Sequence, residues 1–304
     1  MSTATDALRT AFSKADMKRD MGLTTPTDII RYDNICYGTD TKWQMLDVYR
    51  PQRSEGQKLP VIISVHGGGW VYGDKELYQY YCMNLATRGF AVVNFTYRLA
   101  PDFKFPSSLE DTNLVVQWVL VHGDDYGFDL DYIFGVGDSA GAHILGLYAA
   151  VCTNPDYAAE YDFTVPKGFT FTALCLNCGQ YHFDKADQLD AQTKGLMADL
   201  LPNRGTDEEL MRISLDRYVT GRFPQTFLMT CSGDFLKEQA GFLSEQLNIM
   251  NVPFEYHFYG TAEHILGHVF HLDIRNDMAK KCNDTECTFF KGFLPAAKTP
   301  MPAC

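Results

Sequence analysis

One serine in the chain stands in a setting that could make it a nucleophile. Ser139 is the middle residue of a G-D-S-A-G pentapeptide at 137–141, after the strand-like run 132–136 and before the helix-like run 142–151. On so tight a strand-to-helix turn, only neighbours without bulk let the chain segments pass closely, and the hydroxyl is held above the sheet. The pattern predicts a catalytic Ser139, although a glycine-lined helix start with a capping serine would give the same letters.

A second glycine-rich segment could stabilise negative charge. The sequence H-G-G-G-W at 66–70 directly follows the buried-strand pattern at 61–65. A loop without side chains can point successive N–H groups at one oxygen, which is what an oxyanion hole requires. A flexible turn or a phosphate-binding loop is the competing interpretation.

The tight strand-to-helix turn that presents Ser139 is known as a nucleophile elbow. An acid should follow the nucleophile later in the chain, because such elbows are followed in order by an acid and a histidine. Asp234 comes just after the strand-like run 226–231 and is the predicted acid. An aspartate before an amphipathic helix also makes a good N-cap, so a purely structural role is the alternative.

The base is harder to choose, because His264, His268 and His271 all follow the last strand-like run. On a helix these three histidines would share one face and could bind zinc with Glu263 nearby. The serine elbow favours a metal-free hydrolase instead. A C-x-x-C at 175–178 lacks a second pair at zinc-ribbon spacing, so we predict neither a metal nor a cofactor.

Taken together, three segments resemble the hormone-sensitive-lipase-like group of α/β-hydrolases, the bacterial type IV esterases. They are H-G-G-G-W at 66–70, Y-R-L-A-P at 97–101 and G-D-S-A-G at 137–141. The likeness covers nearly the whole chain. It implies a serine esterase in which the 97–101 segment is structural.

The resemblance also implies roles for individual residues. It assigns the oxyanion hole to the N–H groups of Gly67, Gly68 and Ala140. Among the histidines, the family's spacing favours His264, whereas the local H-x-F pattern favours His268, which we predict to be the base. The chain departs from the family after the acid, where Phe235 replaces the usual proline.

Short β-rich runs alternate with helical patterns along the chain. This alternation predicts an α/β class protein with the α/β-hydrolase fold, a mostly parallel central sheet flanked by helices in one domain over 1–304. After the predicted acid, apolar residues recur at helical spacing: Leu236, Ala240, Leu243, Leu247 and Met250. The predicted strands cover 60–65, 90–96, 132–136, 169–176, 226–231 and 254–259.

Two stretches interrupt the alternation, at 1–25 and 180–222. We expect them to pair as a small helical cap over the C-terminal edge of the sheet. Together with the cap, aromatic side chains would line a substrate pocket, and the candidates are Trp70, Tyr72 and Tyr181.

Charge and composition limit the partners. A formal net charge of -12 repels nucleic acid and anionic membrane surfaces, so a neutral or cationic small molecule is the expected substrate. The first 20 residues lack the apolar stretch of a signal peptide, and nine scattered cysteines then suggest reduced thiols. We expect a cytoplasmic protein that binds no membrane, and leave open whether it is a homo-oligomer.

The predicted function is hydrolysis of short-chain esters, acetyl to butyryl, by a serine carboxylesterase. The short-chain preference comes from the resemblance alone. An arylformamidase-like amidase is one alternative, because its H-G-G-x-W loop is similar, and an esterase for small imported acetylated sugars is another. A non-catalytic ligand-binding protein would need the catalytic histidine to be lost, and three available histidines argue against it.

Overall fold

A computed structural model describes residues 1–295 of the 304-residue chain. Eight strands form its central sheet. In chain order they are β1 (Ile29–Cys36), β2 (Met45–Pro51), β3 (Leu59–Val65), β4 (Ala91–Phe95), β5 (Phe128–Asp138), β6 (Ala173–Asn177), β7 (Gln225–Cys231) and β8 (Phe254–Tyr259).

The strands lie side by side in the order β1-β2-β4-β3-β5-β6-β7-β8. β2 is antiparallel to both of its neighbours, whereas every pairing from β4 through β8 is parallel. Parallel neighbours end at the same edge, and the register pairs Val65 of β3 with Gly137 of β5. The two glycine-rich segments predicted to do chemistry therefore begin side by side.

The six strands predicted from the sequence correspond to β3 through β8. Two of them differ in length: β5 is longer than predicted and runs over Phe128–Asp138, whereas β6 is shorter and runs over Ala173–Asn177. The antiparallel pair β1 and β2 was not predicted. β1 lies at the sheet edge with half of its residues exposed, so it lacks the apolar run of a central strand.

The helices pack on both faces of this sheet. They are α1 (Thr3–Asp20), α2 (Lys75–Ala86), α3 (Ser107–Val121), α4 (Ala140–Thr153), α5 (Pro155–Ala158), α6 (Ala191–Leu200), α7 (Asp207–Arg212), α8 (Gln239–Ile249) and α9 (Asp277–Lys291). The helix predicted after Asp234 is α8, and its buried face consists of Ala240, Leu243 and Leu247. Leu236 and Met250 of the predicted stripe lie just outside its ends.

Helix α1 contacts the second of the two stretches that interrupt the alternation. The Asp199 carboxylate of α6 accepts hydrogen bonds from the Ser2 backbone N–H at 2.7 Å and the Thr5 hydroxyl at 2.6 Å. Farther along α1, the Arg9 guanidinium donates to the backbone oxygens of Val71 and Ala100. These contacts hold α1 against both α6 and the loop that follows β3.

Two further properties concern residues 1–295. No helix there combines the length and the apolar character needed to cross a membrane. The eight cysteines in this range are free thiols. The ninth, Cys304, lies outside the described residues.

Candidate active site

Ser139 occupies a strained turn between β5 and α4. Its backbone has φ 52° and ψ −121°, a left-handed conformation that a residue with a side chain rarely adopts. The Ser139 N–H donates to the backbone oxygen of Asn177 at the end of β6, at 2.9 Å. This is the geometry of a nucleophile elbow, and the serine is not a side-chain cap of α4.

The glycines beside Ser139 are required by close backbone contacts. A Cβ atom at Gly141 would lie 2.1 Å from the Val65 oxygen, and one at Gly137 would lie 2.7 Å from the Gly141 oxygen. Both neighbours are backbone atoms, which cannot move aside independently. The elbow and the end of β3 are therefore packed backbone to backbone.

The glycine loop after β3 is equally constrained. A Cβ at Gly68, where φ is 117°, would lie 1.9 Å from the Tyr72 backbone oxygen. The imidazole of His66 stacks on the Tyr97 ring at 4.1 Å, and its Nδ1 lies 2.7 Å from the Gly67 oxygen. Burial lowers the pKa of His66 to about 4, so this ring stays neutral. His66 is a packing residue beneath the loop.

Gly67 does not have the free N–H group expected of an oxyanion donor. Its N–H donates to the Tyr78 hydroxyl at 2.8 Å, and that hydroxyl donates to Asp138 Oδ2, also at 2.8 Å. The assignment of Gly67 to the oxyanion hole is therefore corrected. No sequence pattern indicates this hydrogen bond, because Tyr78 belongs to α2 and reaches the loop only in the folded chain.

Three other backbone N–H groups near Ser139 have no hydrogen-bond acceptor within residues 1–295: those of Gly68, Gly69 and Ala140. Gly69 and Ala140 line the same cavity as Ser139, and Gly68 lines a second cavity that also contains Ser139. These groups are the donors that the geometry leaves available for an oxyanion. Gly69 was not a candidate from the sequence.

The buried Asp234 and the half-buried His268 form a hydrogen-bonded pair. His268 Nδ1 lies 2.6 Å from Asp234 Oδ1, while Asp234 also accepts from the Thr230 hydroxyl at 2.7 Å and the Leu236 N–H at 2.9 Å. Burial opposes ionisation of Asp234, but the hydrogen bond and charge of His268 and the other donors outweigh it, so the pKa lies below its usual value.

An ionised Asp234 can only accept hydrogen bonds, so it accepts from the Nδ1–H of His268, and in the neutral imidazole Nε2 is then the acceptor. That Nε2 atom is buried and has no hydrogen-bond partner within the described range. Ser139 and His268 line the same small cavity without a direct hydrogen bond between them. Such serine–histidine contacts are often long until a substrate binds.

The other two histidines lie in different surroundings. His264 is exposed to solvent. His271 is completely buried against the Tyr81 ring at 5.3 Å, and burial lowers its pKa to about 3. The three histidines therefore do not face one point as zinc ligands would. Among residues 1–295, the group of three histidine, cysteine or acidic side chains whose donor atoms all lie within 4.8 Å of one another is Cys178, Asp234 and His268.

Ser139 lies between two cavities. The larger, of about 490 Å³, extends beneath α1 and α6 and has mainly apolar walls that include Leu8, Phe183 and Leu196. The smaller, of about 180 Å³, contains His268. Both cavities are walled on one side by α1 and share the Phe12 side chain.

The three aromatic residues predicted to line the pocket have different outcomes. Trp70 lines the larger cavity, where its indole N–H donates to His143 Nδ1 at 3.1 Å. Tyr72 lines the smaller cavity, and its hydroxyl donates to Asp16 at 3.0 Å. The prediction that Tyr181 lines the pocket is corrected, because its side chain is fully buried and lines neither cavity.

The sequence placed residues 1–25 in the predicted cap, but none of the α1 side chains that line the site was a candidate. Phe12, Asp16 and Arg19 all line the smaller cavity. Their spacing of four and three residues places them on one helical face, which was a readable signal, but a polar N-terminal helix gives no indication of what that face covers. Phe235 was noted only as a departure from the family, and it lines both cavities.

Comparison with known proteins adds to this geometry. Residues 46–246 match the BD-FAE family. The esterase LipC of Mycobacterium tuberculosis is 33% identical over 135 residues, which are 44% of this chain and 32% of that protein. The versiconal hemiacetal acetate esterase of Dothistroma septosporum is 25% identical over 248 residues, 71% of this chain and 70% of that protein.

The mycobacterial matches span about a third of those relatives, 32% of LipC and 30% of LipQ. Solved structures match more fully. Esterase B of Lactobacillus rhamnosis, inhibited by a tributyrin phosphonate, has a TM-score of 0.86 and 25% identity over 95% of this chain and 94% of its own. A bacterial heroin esterase, 19% identical, has a TM-score of 0.74 over 95% of this chain and 90% of its own.

The BD-FAE match covers more than half of the residues, and it includes the glycine loop, the elbow serine and the acid. The TM-score of 0.86 over 95% of both chains shows that the fold is shared with Esterase B. The chain therefore belongs to the BD-FAE family, in the hormone-sensitive-lipase-like group of α/β-hydrolases.

Proposed function

We propose that the protein is a serine carboxylesterase with Ser139 as nucleophile, His268 as general base and Asp234 as the acid that orients the histidine. One observation carries this proposal. The strained Ser139 opens onto the same cavity as His268, whose buried Nε2 has no partner within residues 1–295. A serine beside an acceptor with no other bond is the arrangement that nucleophilic catalysis requires.

In the proposed reaction, His268 Nε2 takes the Ser139 hydroxyl proton as Oγ bonds to the ester carbonyl carbon. The negative oxygen of the tetrahedral intermediate then accepts hydrogen bonds from the N–H groups of Gly68, Gly69 and Ala140. Protonated His268 donates its proton to the leaving alcohol oxygen as the ester C–O bond breaks. Water, deprotonated by His268, hydrolyses the acyl-enzyme and restores Ser139.

The acyl group is assigned to the larger cavity, whose walls are mainly apolar and whose volume is about 490 Å³. Acetyl to butyryl chains are the proposed substrates, and the tributyrin phosphonate bound to the Lactobacillus esterase supports a four-carbon acyl group. Segments 1–25 and 180–222 are proposed to act as the cap, because α1 and residues such as Leu196 wall this cavity.

The test is hydrolysis of p-nitrophenyl esters from acetate to decanoate by the unmodified protein and three variants. Ser139→Ala and His268→Ala should each lower kcat by about 10⁴-fold or more. His264→Ala is the matched control, because this histidine is exposed and should leave the rate unchanged. The rate should peak at butyrate or below.

Other outcomes separate the alternatives. Loss of activity in His264→Ala, with His268→Ala unaffected, would reject the assigned base. Retention of activity in Ser139→Ala would reject the serine mechanism. Faster cleavage of an N-formyl anilide or of an acetylated sugar than of any simple ester would replace the substrate class and keep the triad.

A further inference from the structure

The two cavities beside Ser139 are chemically different, and the reaction assigns them different halves of an ester. A histidine that takes the serine proton must return it to the leaving oxygen, so the alcohol part of the substrate lies on the histidine side. His268 lines only the smaller cavity. If the proposed function holds, the smaller cavity receives the alcohol.

Acidic side chains outnumber the one guanidinium on the wall of this smaller cavity, where the Asp138 carboxyl accompanies a pair of charged residues from α1. Asp16 and Arg19 of α1 both line it. Arg19 donates to Asp16 at 2.8 Å, to Asp20 at 2.7 Å and to the Leu77 backbone oxygen at 2.6 Å, so each of its three nitrogens already has an acceptor. Two carboxylates therefore surround one guanidinium.

The pKa of Asp16 is raised by burial and, in addition, by the charge of Asp74. Burial raises the pKa of Asp16, Arg19 opposes that rise, and the charges of Asp20 and Asp74 add to it. Acidic groups around Asp16 thus outnumber the one base, Arg19, although Asp20 and Asp74 do not themselves line the cavity. An anionic ligand would be repelled, and a cation entering it would relieve the repulsion among the carboxylates.

Aromatic side chains complete the cavity. Phe12 and Tyr72 line it with their rings in edge contact, 6.1 Å between centroids. Phe235 closes another side, with its ring 4.2 Å from the His268 ring. Aromatic faces beside a carboxylate favour organic cations, because the π faces attract positive charge without hydrogen bonds.

We propose that the smaller cavity is a leaving-group subsite for alcohols that carry an ammonium or quaternary ammonium group, with Asp16 as the specificity-determining residue. The volume of about 180 Å³ suits a compact head group such as choline. The larger cavity, which is assigned to the acyl group, is lined by Asp190 but by no aspartate–arginine pair. The proposed preference for a positive charge therefore concerns the alcohol part of the ester.

The experiment compares two butyrate esters that differ in charge alone, butyrylcholine and its carbon isostere 3,3-dimethylbutyl butyrate. For the unmodified protein we expect kcat/KM to be about tenfold higher for butyrylcholine, which corresponds to ~1.4 kcal/mol. Asp16→Asn should bring the ratio of the two values close to one. Raising the salt concentration should lower the ratio only partly, since Asp16 is half-buried.

Asp6→Asn is the matched control. Asp6 is an exposed aspartate of the same helix that lines neither cavity, and its replacement changes the net charge by the same amount. The tenfold ratio should persist in this variant. If Asp6→Asn reduced the ratio as much as Asp16→Asn, the overall charge would explain the preference and the subsite would be rejected.

A binding measurement separates this proposal from the esterase reaction on which it rests. Choline should bind to Ser139→Ala more tightly than 3,3-dimethylbutanol by calorimetry, and Asp16→Asn in that background should abolish the difference. Hydrolysis of the neutral ester with no preference for the cationic one overturns the subsite and keeps the esterase. Absence of hydrolysis of both esters overturns the esterase, and equal binding of the two alcohols then overturns the subsite as well.

Discussion

The two sides of the active site are built in different ways. The floor, defined as residues 66–70 and 137–141, is held by backbone contacts, and a Cβ at Gly141 or Gly68 would lie about 2 Å from another backbone oxygen. The roof, defined as α1 and residues 180–222, is held by side chains, with Asp199 binding Ser2 and Thr5. The close backbone packing of the floor therefore excludes side chains at these glycines, whereas side chains of the roof can be replaced without a clash between backbone atoms.

This difference in construction between floor and roof corresponds to a difference in proposed role, between carrying out the reaction and selecting the substrate. Groups proposed to act on the reacting carbonyl lie in the floor or in the loops that end β7 and β8. Side chains proposed to touch the remainder of the substrate come largely from the roof, including Leu8, Phe12 and Asp16. Substitutions in the floor should abolish the reaction or the fold, and those in the roof should change which esters are cleaved.

The largest effect is expected from Asp234→Asn. The amide would donate a hydrogen bond to His268 Nδ1 and place the proton on Nε2, where it blocks removal of the serine proton. By comparison with other triads, kcat should fall by about 10⁴-fold with little change in KM. Steady-state kinetics with p-nitrophenyl butyrate measures this, and a loss below tenfold would contradict the assigned acid.

Gly141→Ala should destabilise the fold itself. The new Cβ would lie 2.1 Å from the Val65 oxygen and 2.5 Å from the His66 oxygen, so the free energy of unfolding should fall by about 4 kcal/mol or more. Gly241→Ala, in α8, is the control, because no atom lies within 4 Å of its added Cβ. It should gain about 0.5–1 kcal/mol. Urea unfolding of both proteins decides whether the floor is as rigid as described.

The buried carboxyl of Asp138 should make the floor sensitive to pH. Burial raises its pKa to about 7, so the carboxyl is protonated in the folded protein at pH values where the unfolded chain ionises. Its stabilising contribution is complete below the unfolded pKa of about 4 and is lost as pH rises through 7. Asp138→Asn removes this dependence.

Between pH 5 and 7, the stability of Asp138→Asn relative to the unmodified protein should therefore increase by roughly 2–3 kcal/mol. Thermal unfolding across that range measures the change. Glu286→Gln provides a parallel case away from the floor, because burial also raises the pKa of Glu286 to about 7. A difference that stays constant with pH would show that Asp138 is ionised in the fold.

The smallest effect is expected in the roof. Asp199→Ala removes two hydrogen bonds that hold the start of α1, and should lower the free energy of unfolding by about 1–2 kcal/mol. Because Leu8 and Leu196 would then move relative to each other, KM should rise by about threefold for octanoate and less for acetate. Glu208→Ala, at an exposed roof position, is the control. Equal changes in KM for both esters would indicate that the roof does not wall the acyl cavity.

The sequence predicts the floor better than the roof. Strands β3 to β8 are apolar runs separated by longer segments that contain helices, and the elbow and glycine loop are local sequence patterns, so the sequence predicts both. The edge strand β1 was missed because charged residues such as Arg31 and Asp33 interrupt it. The Gly67–Tyr78 hydrogen bond and the Asp199–Thr5 contact join residues whose proximity depends on tertiary packing, and no spacing rule anticipates them.

The most direct test of the central claim is labelling by a fluorophosphonate. In the proposed mechanism, Ser139 Oγ displaces fluoride from phosphorus with His268 as base, so mass spectrometry should find a single adduct on the peptide that contains Ser139. Labelling should be slowed by orders of magnitude in His268→Ala and be absent in Ser139→Ala. An adduct on a different residue, or equal labelling of Ser139→Ala, would contradict the assignment of the nucleophile.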